Sequence, residues 1–258
     1  MLLYLAWKRI LIYRSVSLVY VSLSLLNIFL TIAIWTVVYK NPVHTPSVSF
    51  SVFISYFAVM IIFTQFVNSY ASGEMADIHI KRGQLSVYLL KPFPYLVQEW
   101  ILEIPWRIMA FFMSLPALLI IIFLFQDSIN LNPVFIIIAL TLVVGAFVLS
   151  YLIQICFAML TFWLEDSHGV LSVLEILTLL FTGMGMPIFF FPPLLKTLAY
   201  ILPFQYILYF PVALAVNLLN DREIIFFVCM YFGWIVILTF VASQLWKNGL
   251  KKFTGEGT

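Results

Sequence analysis

Long apolar runs broken by short polar clusters set the pattern of this chain. A bilayer core takes about 20 apolar residues per helix, and six runs reach that length. They lie at about 16–38, 50–71, 103–125, 134–162, 169–190 and 223–246. Their flanks carry helix punctuation. Tyr39-Lys40-Asn41-Pro42 follows the first, and Ser72-Gly73-Glu74 follows the second. The third has Pro105 near its start and Pro116 as an expected kink. Asn132-Pro133 opens the fourth, Asp166-Ser167-His168-Gly169 the fifth and Asn220-Asp221 the sixth, the last with good capping chemistry.

A seventh apolar stretch, about 193–219, holds Pro193, Pro203, Pro211 and Lys196. Pro203 divides it into pieces too short to cross. These read as two half-helices dipping in from the outer side, or as two helices lying flat on it. Non-helical backbone at membrane depth must be covered by protein or face water. Residues 1–14 mix Lys8, Arg9 and Arg14 with Leu2, Leu3, Leu5, Trp7 and Ile10, with no small-residue cleavage site after the next run. This predicts an interfacial helix at about 3–14, or the snorkelling flank of the first span.

Composition narrows the class. Of 258 residues, 64% are hydrophobic and 9% charged, against about 25% charged in a soluble domain. That excludes a soluble enzyme and a disordered tail. The net charge of +2 supplies no field for nucleic acid. Cys156 and Cys229 sit inside apolar runs and read as small core residues. With the N-terminus inside, ten Lys and Arg fall on the cytoplasmic side: 8, 9, 14, 81, 82, 91, 107, 247, 251 and 252. Only Lys40, Lys196 and Arg222 fall outside. This bias places both termini in the cytoplasm. The expectation is an all-α membrane protein, one domain over 1–258, with six spans and no internal repeat.

The one sizeable cytoplasmic loop is 72–102. Leu85, Tyr88 and Leu89 fall on one face of a short helix between Gly83 and Lys91-Pro92-Phe93-Pro94. An exposed aliphatic–aromatic face there reads as a docking plug, or as a surface resting on lipid headgroups.

The run Ile80-x-x-Gly83-x-Leu85-x-x-Tyr88-Leu89-Leu90-Lys91-Pro92 resembles the cytoplasmic loop of type-2 ABC exporter permeases. Two further stretches agree: Leu202-Pro203-Phe204-Gln205-Tyr206-Ile207-Leu208-Tyr209-Phe210-Pro211, and the tail Trp246-x-x-Gly249-Leu250-x-x-Phe253-x-Gly255-x-Gly257. The resemblance covers essentially the whole chain. It implies a stand-alone six-span permease of a bacterial inner membrane, paired with a second copy or a sibling permease. Two cytosolic ABC ATPase subunits would bind below and carry ATP and magnesium. The loop helix would act as the coupling helix, mapping to about Asp77–Leu90, with Asp77, Ile80, Arg82, Gly83, Leu85, Tyr88, Leu89 and Leu90 as its contact set. The half-helices would form an outer lid, and spans 2 and 5 would line a path for an amphipathic or lipid-like cargo moving outward. No Gly-x-x-x-x-Gly-Lys-Ser/Thr occurs, so this chain has no phosphate-cradling loop of its own and is not itself expected to be an enzyme.

Individual residues carry paired readings. Glu175 is the one acid well inside a span, where burial in lipid costs roughly 2.5–3.5 kcal/mol. It faces a wet path or cationic cargo, or it pairs with a neighbouring hydroxyl or Gln154. Gly183-Met184-Gly185-Met186-Pro187 is an outer hinge or a simple helix end, and with Phe204 it makes up the candidate gate. Phe189, Phe190 and Phe191 read mainly as interface anchors. Glu99, Glu103 and Arg107 are spaced four apart and form an interfacial ion-pair ladder, or a contact with the ATPase or a lateral gate. Asp166-Ser167-His168 reads as a helix cap, not a catalytic triad. His44, His79 and His168 occupy three different loops and suggest no metal site. The rival class is an ion-coupled or substrate-binding subunit that uses no ATPase. It should show inverted repeats and paired midplane charges, which this sequence lacks.

Overall fold

The computed structural model describes residues 8, 14–40, 48–67, 69, 71–129, 131–164 and 166–253. The expected interfacial helix at about 3–14 therefore lies outside the described residues, apart from Lys8 and Arg14. So do His44, Gly255 and Gly257.

The described residues form helices and no strand. The long ones are α1 (Arg14–Lys40) and α2 (Phe50–Val67), then a single turn Ala71–Gly73 and a π-helical segment Glu74–Lys81. After these come the short α3 (Leu85–Leu89), α4 (Tyr95–Leu124), α5 (Pro133–Leu160) and α6 (Ser167–Phe181). Next are α7 (Pro193–Ile201), a 3-10 turn Pro203–Tyr206 and α8 (Tyr209–Ala215); α9 (Asp221–Leu250) follows. Among the described residues, four helical stretches are long and apolar enough to cross a membrane: Phe50–Lys81, α4, α5 and α9.

Helix starts follow the sequence chemistry. Asn132 accepts from the Val134 N–H at 2.9 Å, with Pro133 at the first helical position. Asp166 accepts from Gly169 N–H at 3.1 Å. Asn220 and Glu223 form a reciprocal capping box. α8 ends in a Schellman turn: Leu218 N–H donates to Ala213 C=O and Asn217 N–H to Leu214 C=O. Asn217 takes the left-handed conformation this requires (φ 55°).

Burial orders the bundle. The apolar window of Phe50–Lys81 is 72% buried inside the chain, that of α5 50%, α4 28% and α9 11%. A helix apolar on every side belongs at the centre of a bundle, and α2 has no exposed side chain. α4, α5, α8 and α1 pack around it. The peripheral helices keep open apolar faces, such as Phe112 and Phe123 on α4 and Val236 and Phe240 on α9. Cys156 is buried, whereas Cys229 lies exposed on α9, so only one of the two cysteines is a core residue.

Two differences from the sequence reading concern residues 169–219. The run expected at about 169–190 is helical only to Phe181. Gly183 then takes φ 82°, a conformation that ends a helix and favours glycine. At 1.5 Å per residue, 15 residues reach about 22 Å. The phenylalanines after it are half-buried and packed inward rather than standing free as anchors. Phe190 stacks on Trp35 at 4.2 Å, and Phe189 meets Tyr56 edge-on at 5.6 Å. The stretch after Pro203 is buried throughout Pro203–Val216, so protein covers its irregular backbone. α7, by contrast, leaves Leu194, Leu195 and Leu198 exposed.

Candidate functional site

The loop expected on the cytoplasmic side is shorter than 72–102. α2 continues through Ala71–Gly73 and the π-segment to Lys81, and α4 begins at Tyr95. Between them, Gly83 makes the turn at φ 73°. Ser86 Oγ and N–H both donate to its carbonyl, at 2.9 and 3.4 Å. α3 forms at Leu85–Leu89, where the spacing predicted it.

The structure places the eight candidate coupling residues in different environments. Ile80 and Leu85 are buried in an inner core with Met75, Ala76, Ile155 and Met159. Leu85 is fully enclosed, so the expectation that it lies on an exposed face with Tyr88 and Leu89 is corrected. Burying that leucine removes more apolar surface from water than exposing it would, and α3 rotates accordingly. Tyr88 is half-buried, with the Lys91 ammonium 3.9 Å above its ring. The outward candidates are Arg82, Leu89 and Leu90, joined by Val87 and Phe93, which the sequence reading did not single out. Leu90 is 87% exposed. Asp77 points to neither surface nor core: its carboxylate accepts a hydrogen bond from Ser167 Oγ at the start of α6.

Beneath α3 lies an aromatic stack that sequence spacing did not reveal. His79 Nδ1 and Tyr95 Oη are 2.5 Å apart. The His79 ring lies 4.4 Å from that of Tyr88, and Tyr95 stacks on Trp246 of α9 at 5.3 Å. Gly249 lets α9 approach Phe162, since a β-carbon there would fall 2.3 Å from the Phe162 ring. The signal was the tail Trp246-x-x-Gly249, read for resemblance and not for its partner. His79, expected in an open loop, is buried in the π-segment.

Where α2 gives way to Ala71–Gly73, a polar clasp forms. Arg107 Nη2 donates to Glu103 Oε2 at 2.7 Å, and Arg107 Nε donates to the Phe66 carbonyl at 3.0 Å. The guanidinium lies 3.7 Å over the Phe147 ring of α5. Ser69 Oγ donates to Glu103 at 3.0 Å. Arg107 is thus buried between helices rather than lying in the cytoplasmic loop set.

The candidate path and gate residues do not converge on one spot. Glu175 is exposed on α6, among Val173, Ile176 and Leu179. Gly183 is buried, and its carbonyl accepts from Tyr56 Oη at 3.2 Å. Gly185 is exposed; Pro187 and Phe204 are buried. The expectation that spans 2 and 5 both line a path meets a structure in which α6 has a free face and α2 has none.

A family model described as ABC-2 family transporter protein matches residues 25–257. The chain belongs to that family. It is a multi-pass membrane permease of an ABC transporter, and membership implies association with an ABC ATPase. Subunits of this ABC-2 type are typically non-enzymatic. No curated protein and no solved structure matches the chain.

Proposed function

We propose that this ABC-2 permease is the membrane half of an ATP-driven exporter with six spans, both termini cytoplasmic, in a bacterial inner membrane. The observation that carries the reading is the outward cap of Val87, Leu89, Leu90 and Phe93 on a loop braced from below. A solvent-facing apolar cap is costly unless a partner covers it. A rigid support lets force applied there reach the helices. ATP and magnesium belong to two cytosolic ATPase subunits, whose closure would push on these caps.

Six spans follow if α1, 27 residues long, and α6 with the Gly183–Phe190 extension both cross. Removing Arg107 from the loop set leaves nine cytoplasmic Lys and Arg against three, so the orientation argument stands. Glu175 supports a second permease copy or sibling beside α6. An acid on a lipid-facing helix costs roughly 2.5–3.5 kcal/mol, which a second chain or a wet path between two chains removes. Amphipathic or lipid-like cargo moving outward suits such a path.

The test is a pull-down of the tagged chain from native membranes in mild detergent. The expected result is a stoichiometric soluble ATPase, lost in Leu90→Asp/Phe93→Asp while the permease still inserts. Recovery of the wild-type chain without any ATPase overturns the reading and favours an ion-coupled or binding subunit.

A further inference from the structure

α6 buries little of its surface in the bundle. Among its residues only Ser167 and Leu174 are buried. Two hydrogen bonds fasten its ends, and both come from the Phe50–Lys81 rod. At one end Asp77 of the π-segment accepts from Ser167 Oγ; at the other Tyr56 of α2 donates to the carbonyl of Gly183. The Asp77 bond is not needed to start the helix, because Asp166 already caps it. Nor does it belong to the apolar core under α3, which buries Ile80 and Leu85 beside it. It joins the cytoplasmic loop to a helix 90 residues away in sequence. The acceptor sits on a π-helical segment, whose looser hydrogen bonding recurs where helices deform in function.

We propose that Asp77 is a positioning residue: it tethers the cytoplasmic loop to the start of α6, so that displacement of the loop swings α6 about its Tyr56–Gly183 attachment. Force enters at Leu90 and Phe93, passes through α3 to the π-segment, and leaves by way of Asp77 and Ser167. Leu174 is the one fully buried apolar side chain that resists the swing, helped by the half-buried Leu171, Leu177 and Phe181. The glutamate on the free face, Glu175, moves with it. This rests on the ATPase-coupled reading above.

The test uses the permease–ATPase complex in lipid nanodiscs, with Cys156→Ala and Cys229→Ser as background and a spin label on Ile176→Cys. The readout is the change in label mobility between the nucleotide-free state and the state trapped with ATP, magnesium and vanadate. Ser167→Ala and Asp77→Ala should each cut its amplitude roughly threefold or more, the population effect of losing one ordinary hydrogen bond. Both should leave the ATPase bound. The double variant should do no worse than either single one, and Asp77→Asn, whose amide oxygen still accepts from Ser167, should keep the change. A wild-type amplitude in Ser167→Ala with the ATPase bound overturns the tether; so does a loss in Asp77→Asn equal to that in Asp77→Ala. If Asp77→Ala does not insert, Ser167→Ala and Asp77→Asn still decide. Absence of any ATPase in the wild-type preparation instead overturns the reading beneath it.

Discussion

Replacing Arg107 with methionine removes a buried cation and little volume. Its side chain is 4% exposed and that of Glu103 15%. Several attachments disappear at once: the ion pair with Glu103, the hydrogen bonds to the Phe66 and Glu103 carbonyls and the contact over Phe147. Removing one partner of a buried pair costs about 3–5 kcal/mol, mostly because the other charge is left uncompensated. For a chain of this size each kcal/mol lowers the melting temperature by about 2–4 °C, so Arg107→Met should melt roughly 6–20 °C lower. Detergent-solubilised protein followed by size-exclusion chromatography after heating gives the number. The decisive comparison is Glu103→Gln/Arg107→Met. The neutral amide still accepts from Ser69 and leaves no buried charge, so the double variant should regain more than half of the loss. A shift under about 3 °C for Arg107→Met, less than the weakest case above, refutes the reasoning. So does a double variant that melts no higher than the single, because the penalty would then not lie in the stranded carboxylate.

Gly183→Ala should destabilise by about 1–3 kcal/mol, since the residue sits at φ 82° with Tyr56 Oη 2.7 Å from the new β-carbon; an unchanged melting temperature would contradict the αL helix end. Tyr231→Phe removes a buried hydrogen bond to the Leu142 carbonyl (2.6 Å) and should cost about 1 kcal/mol in the same assay. Asn220→Ala breaks the capping box of α9 and should cost about 1 kcal/mol, read as faster proteolysis near Asp221. Leu85→Asp should prevent accumulation of folded permease, because it buries an unpaired carboxylate. Leu90→Asp should leave accumulation and melting unchanged, and a loss equal to that of Leu85→Asp would show that the two faces of α3 are misassigned.

Elements with strong local signals were legible in the sequence. The capped starts at Asn132, Asp166 and Asn220, the break at Pro203 and the short helix between Gly83 and Pro92 depend on a few neighbouring residues, and the structure has each of them. What hydropathy could not resolve was which side of an apolar helix faces protein. In a membrane chain both lipid-facing and core-facing positions are apolar, so Leu85 and Leu90 look alike in sequence yet lie at opposite extremes of exposure. The same degeneracy hid the central position of α2 and the inward turn of Phe189 and Phe190. Long-range polar contacts were equally invisible. Nothing near Asp77 announces Ser167, and the four-residue spacing of Glu103 and Arg107 gave their pairing but not its burial against Phe66 and Phe147.

The enclosure of α2 has a consequence for biosynthesis. This helix leaves the ribosome before most of the helices that surround it. α8, the last of its neighbours, begins 142 residues after α2 ends, a delay of about 7–30 s at ordinary synthesis rates. Through that interval Thr64 and Gln65, both buried in the finished bundle, have none of the later helices to cover them. The insertion machinery must therefore retain α2, or shield it, until α5 and α8 arrive. A chain truncated before Tyr209 should stay bound to that machinery instead of diffusing into the bilayer.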